Sequence, residues 1–245
     1  MSTHAERLPR YLQLREASVA LNSRLVKGLS RSAMNEAGRR LNMLDGGTLV
    51  LDSEDMTAVL MDYCIHDVRR YGVNAVERHL STAPPAEGSD EWVLLHALRA
   101  SRFSVFAVEA VESGVGVGVR DLLRDTTMFA TDVGLGTSGR VGMVFAMRVM
   151  VADGIGMTTG AALLVGKLPK SARAELVADI RETFAGIDFQ NLAPEEASDF
   201  AAAVLRTCLD DGAGERISYV APEEIAPPAR RPPRRKLAGG EARLR

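Results

Sequence analysis

The sequence predicts an α+β protein: N-terminal helices, a central five-stranded antiparallel sheet or partly open barrel, two C-terminal helices and a disordered tail. Three observations carry this reading. Apolar residues recur at helical spacing up to about Ala100 and again after Lys167. From Phe103 the pattern changes to strict alternation, and Val115, Val117 and Val119 alternate with Gly114, Gly116 and Gly118, which no helix tolerates. Finally, Asp153-Gly154 separates two apolar runs, the strongest short-range signal for a hairpin with a type I′ turn.

The elements follow in order. Leu14, Ser18, Leu21 and Leu25 mark the apolar stripe of a first helix, with Pro9 placed in its first turn where a missing N–H costs nothing. A second helix is expected from about Ser30 to Leu44, ended by Gly46-Gly47, and Thr48 to Leu51 reads as a short strand. Asp52 or Ser53 caps a third helix whose wide apolar face includes Met56, Val59, Leu60, Tyr63, Cys64 and Val68. Gly72 breaks it, Val73 to Leu80 forms a short helix, and Thr82 to Ser89, with Pro84-Pro85 and Gly88, reads as a linker. Asp90 and Glu91 then open a helix running to Ala100. Strands are expected from Phe103, over Val115–Val119, Met128–Val133 and Val144–Val151, and from Ile155 to Leu164. Turns this short leave no room for a crossover helix and imply antiparallel pairing. Two helices follow, around Leu176, Ile180 and Phe184, and from Pro194 through Phe200, Val204 and Cys208. This divides the chain into a helical region (1–81), a linker (82–89), a helix plus β module (90–167), C-terminal helices (168–209) and a Pro/Arg-rich tail (210–245).

Composition weighs weakly against two classes: at its net charge the whole chain is no obvious polyanion binder, and 5% aromatic residues with the single Trp92 argue against carbohydrate or single-stranded nucleic-acid binding through stacking platforms. The chain has 245 residues, 46% hydrophobic and 25% charged, with net charge −2. Two cysteines, Cys64 and Cys208, sit in helix-like apolar segments and read as reduced core thiols. Met1 to Arg10 lacks the apolar stretch of a signal peptide, and no apolar run approaches a membrane span, so the expectation is a cytoplasmic protein with no membrane contact. Charge is uneven: Arg230 to Arg245 holds seven basic residues against Glu241 alone.

No catalytic, cofactor or metal constellation stands out. Gly134-Leu135-Gly136-Thr137-Ser138-Gly139 matches a dinucleotide-binding spacing, but that turn must open a helix after the first strand of a βαβ unit. Here alternation resumes at Met143, so a loop between two antiparallel strands is expected. His66 and Asp67 lie on one helix and His79 on the next, too few for structural zinc, and no C-x-x-C exists.

The β stretch resembles a segment of uncharacterised bacterial proteins, some of which also carry a SEC-C motif. The likeness lies in Arg102-Phe103-Ser104-Val105-Phe106, Val108, Val111, and Gly114 through Val119 followed by Arg120-Asp121-Leu122-Leu123; it resumes at Asp153-Gly154, Met157 and Gly160-Ala161-Ala162. It implies a small β module of unknown activity. The zinc-binding cysteines of the SEC-C motif have no counterpart, and an arginine–proline tail stands in their place.

Three functional expectations follow. The first is a non-enzymatic interaction or scaffold protein docking a protein partner through the β module, with Arg102, Arg120 and Asp121 as candidate ligand or partner contacts. The second is a nucleic-acid-associated protein whose Arg230, Arg231, Arg234, Arg235 and Lys236 neutralise phosphates. The third is a nucleotide-binding enzyme using the glycine segment 134–139.

Overall fold

The computed structural model describes residues 3–51 and 53–212. A short 3-10 turn leads into α1 (Leu8–Lys27), which buries Tyr11, Leu14, Ser18, Leu21 and Leu25 along one stripe. Ser30 caps α2 (Arg31–Arg40) by accepting from the Ala33 amide. This helix stops short of the predicted end. Gly46 and Gly47, at φ +55° and +84°, instead form the turn of a small hairpin, β1 (Leu44–Asp45) with β2 (Thr48–Leu49). Ser53 caps α3 (Glu54–His66), Asn74 and Glu77 form a capping box at α4 (Ala75–Thr82), and Ser89 caps α5 (Asp90–Arg99).

Five strands then close into a barrel: β3 (Arg102–Glu112), β4 (Gly116–Asp121), β5 (Thr126–Thr131), β6 (Met143–Ala152) and β7 (Ile155–Lys167). Around the ring the order is β3-β4-β5-β7-β6, with β6 pairing back onto β3. The expected antiparallel sheet is therefore corrected to a mixed one, because β5 and β7 run parallel through Thr131 and Met157. The reason is topological. Directions cannot alternate all the way round a closed ring with an odd number of strands, so one neighbouring pair must be parallel. The connection that permits this is α6 (Val133–Ser138), which carries the chain from β5 past the place later filled by β7. Strand order 1-2-3-5-4, closure on strand 1 and a helix between strands 3 and 4 is the connectivity of the OB-type Greek-key barrel.

The predicted local features appear in place. Val117 and Val119 point into the barrel with Phe106, Ala130, Phe145, Met147 and Val149. Asp153 (φ +51°) and Gly154 (φ +70°) make the β6–β7 turn with both residues left-handed, as a type I′ turn requires. Helices α7 (Lys170–Thr183) and α8 (Pro194–Asp210) follow, and Phe103, Phe184 and Phe189 meet Phe200 edge-on. Outside the barrel, one apolar cluster joins α2, α3 and α8 to β3, β6 and β7, and a second joins α1, α4 and α5 to β6 and β7. Cys64 and Cys208 are buried thiols outside any disulfide, and burial pushes the Cys64 thiol up to about 12. No helix of the described residues is long and apolar enough to cross a membrane.

Candidate binding face and buried polar network

Helices pack on β3, β6 and β7, whereas the outer face of β4–β5 stays largely uncovered beyond the contact of α6 with the start of β4. Its side chains follow from register. Since Val117 and Val119 face inward opposite Ala130 and Met128, the outward rows are Gly116 opposite Thr131, Gly118 opposite Phe129, and Arg120 opposite Thr127. Gly118 leaves this face bare beside Phe129, which is half-buried, whereas Gly116 is buried against α6. At Gly116 a Cβ would stand 2.2 Å from the Ala130 carbonyl oxygen. At Gly118 it would crowd Ala110 Cβ at 3.2 Å. The ring of His4 lies on Phe129 at a centroid distance of 3.6 Å and an interplanar angle of 21°, with Nδ1 3.3 Å from Glu112 Oε2. A pocket of about 260 Å³ extends from that stack past Arg7, which donates to the Gly154 carbonyl at 2.9 Å.

Arg120 and Asp121 are adjacent in sequence and sit on opposite sides of the sheet. Arg120 is at the surface, donating to Glu109 at 2.7 Å and Asp125 at 2.6 Å. Asp121 is buried and organises the β4–β5 turn. Its Oδ1 accepts from the Ser104 hydroxyl and from the Leu123 and Arg124 amides, and its Oδ2 receives the Arg124 guanidinium at 3.1 Å. Arg102 is exposed at the start of β3, paired with Val149 and four positions before the strand partner of Asp121, about 13 Å along the strand. Arg230, Arg231, Arg234, Arg235 and Lys236 lie outside the described residues.

The glycine segment 134–139 is corrected from a loop to the helix α6 and its C-cap. Its glycines are explained by packing. A Cβ on Gly136 would fall 2.6 Å from the Gly116 nitrogen and 2.9 Å from that of Val115, and one on Gly139 would fall 2.4 Å from the Leu135 carbonyl oxygen. The position an anion would take at the helix start is held by Asp132, whose carboxylate accepts from the Leu135 amide at 3.0 Å and the Thr158 hydroxyl at 2.6 Å.

The covered side of the barrel holds a polar network. Arg148, from the middle of β6, points away from the barrel interior toward α3. It donates to Asp62 at 3.1 Å and Asp67 at 2.5 Å, and its guanidinium lies over Phe103. His66 faces Asp62 at 3.8 Å, and its carbonyl accepts from Asn74. Ser198 of α8 donates to the Asp67 carbonyl, and Arg40 of α2 reaches Tyr63, Ser198 and Asp199. Burial holds His66 down to about 3, with the positive charge of Arg148 adding to the effect; it is therefore neutral. Burial pushes Asp67 up to about 7, against the pull of Arg148, which it shares with Asp62. The sequence carried one signal of this network, a single arginine inside the apolar run Val144–Val151. Its carboxylate partners, 86 and 81 positions away, left none.

No curated protein and no solved structure matches the chain. One family model does, over residues 5–189, which takes in α1 through α7 with the whole barrel. The chain belongs to that family, a family of unknown function designated DUF7986.

Proposed function

We propose that this protein is an interaction protein whose working surface is the outer face of β4–β5, and that its ligand is single-stranded nucleic acid. The observation that carries the reading is the His4–Phe129 stack. A half-buried aromatic on the third barrel strand already accepts a planar ring at stacking distance, as it would accept a base. Two further features support it. In barrels of this connectivity the face of the second and third strands, with the flanking loops, is the usual surface for oligonucleotides, although shared connectivity alone assigns no activity. The row at Gly118, which carries no side chain opposite Phe129, also gives an extended chain room to lie flat. The face itself is of mixed charge, since Arg120 is engaged by Glu109 and Asp125. Phosphate neutralisation therefore falls to Arg7 and to the basic segment Arg230 to Lys236. A closed barrel offers few free strand edges, which disfavours docking of a protein partner by strand addition.

The test is fluorescence anisotropy of the full chain with a labelled oligothymidine of about 15 nucleotides, long enough for one barrel. Phe129→Ala should weaken binding by about 1–3 kcal/mol, the usual worth of one base stacked on an aromatic. Replacing Arg230, Arg231, Arg234, Arg235 and Lys236 with glutamine should flatten the salt dependence. Absence of binding at low salt, or binding indifferent to Phe129→Ala, would overturn the proposal. Loss through the tail substitutions alone would leave only an unspecific polyanion tail.

A further inference from the structure

A second site lies on the other side of the barrel, where α1 and α3 meet β7. There β7 departs from regular pairing: Thr158 is opposite Val149 and Ala162 opposite Met147, so Thr159, Gly160 and Ala161 bulge against Arg148 alone. Bulges of this kind re-aim side chains and concentrate beside functional sites. Gly160 takes φ +99°, and a Cβ there would stand 2.9 Å from Nη2 of Arg15, so the glycine makes room for that guanidinium. Around the bulge is an open cleft of about 360 Å³, within the range of small-molecule sites.

Its polar groups are unevenly satisfied. Thr159 is 8% exposed, lines the cleft, and its hydroxyl finds no hydrogen-bond partner among the described residues. A buried hydroxyl without a partner is costly and calls for an explanation. Arg15, half-buried at the same wall, forms no ion pair among the described residues. Asp62, the carboxylate in the cleft, already receives Arg148 on Oδ2. The remaining wall is mixed, with Asn22, Ser23 and His66 beside an apolar strip of Val19, Val26, Met61 and Ile65.

We infer that this cleft binds a small organic carboxylate, its head group held by the Arg15 guanidinium and the Thr159 hydroxyl and its short apolar chain laid along Val19 and Met61. A carboxylate is the group that satisfies an unpaired guanidinium and an unpaired hydroxyl together. The apolar strip of Val19, Val26, Met61 and Ile65 favours a short hydrocarbon substituent over a bare inorganic anion. The site is independent of the β4–β5 face and of any nucleic acid bound there.

The experiment uses the full chain with butyrate as the probe, followed by calorimetry and by the methyl resonances of Met61 and Thr159. Saturable binding at millimolar concentration is expected, with smaller effects from acetate and none from butylammonium. Arg15→Gln should weaken butyrate binding about ten- to a hundredfold, the usual consequence of losing a charge-assisted hydrogen bond. Thr159→Val keeps the shape of the side chain and removes the hydroxyl. It should weaken binding while raising the melting temperature of the ligand-free protein by roughly 2–4 °C, because a buried unpaired group is removed. That opposite movement separates a ligand role from a folding role. Absence of saturable butyrate binding, an equal response to inorganic phosphate, or binding unchanged in both variants would overturn the inference.

Discussion

Two arginines on neighbouring regions of one barrel have opposite fates. Arg120 on β4 lies on the face without helices and forms short ion pairs with Glu109 and Asp125 in contact with solvent. Arg148 on β6 lies under α3 and forms equally direct pairs with Asp62 and Asp67, with almost no exposure. The contacts are alike and the surroundings are not. Water screens the first set, so its contribution to folding is small. The second set has lost its water, so each charge depends on the others staying in place. The covered side of the barrel is where helix α3 is tied to the strands.

The comparison can be broken in three ways, taken from the largest expected effect. Arg148→Met should destabilise by about 3–5 kcal/mol, since it leaves the buried Asp67 and the partly buried Asp62 without their cation, whereas Arg120→Met should cost less than about 1 kcal/mol. Denaturant unfolding of both variants measures this, and equal losses would refute the contrast.

The second concerns pH. His66 is held below its ordinary value, so its contribution is full above about 6.5 and is lost as pH falls toward 3. Asp67 is raised above its ordinary value, so its contribution is full below about 4 and is lost as pH rises toward 7. Between about pH 4 and 6.5 the two slopes oppose one another and nearly cancel. His66→Gln should therefore uncover a stability that falls with rising pH over that range, and Asp67→Asn one that rises. Unfolding midpoints across the interval read the sign directly.

The third contrast lies within one motif. Gly136→Ala drives a methyl group into the backbone of Val115 and Gly116 and should cost about 1–3 kcal/mol. Gly134→Ala meets only the Asp132 side chain, at 3.3 Å, and should stay within about 0.5 kcal/mol. Thermal melting of the pair distinguishes a packing motif from a phosphate cradle, for which both glycines would be needed equally.

Much of the fold was legible because it rests on short-range rules. The cap at Ser53, the left-handed turn at Asp153-Gly154 and the alternating valines of β4 each depend on a few consecutive residues. The end of α2 was misplaced because glycine pairs serve equally well as a helix stop and as a hairpin turn, and only the pairing of Leu44 with Leu49 decides between them. The glycine segment was read as a loop because six residues are too few to display a helical period. Of the candidate site residues, Arg120 and Asp121 were recognised as belonging to a strand end. That strand alternation sends one outward and the other into a turn was implicit in the valine pattern beside them.

By itself, then, the sequence determined the helices other than α6, the β module between Arg102 and Lys167 and the alternation of its valines, because period and turn chemistry act over neighbouring residues. Tertiary structure alone decided three things. One is the parallel closure of β5 on β7, which an odd ring of strands imposes. Another is the pairing of Arg148 with Asp62 and Asp67, which joins residues far apart in the chain once water is excluded. The last is the meeting of Arg15 with the bulge at Gly160, where a helix laid across a strand turns a missing side chain into room for a guanidinium.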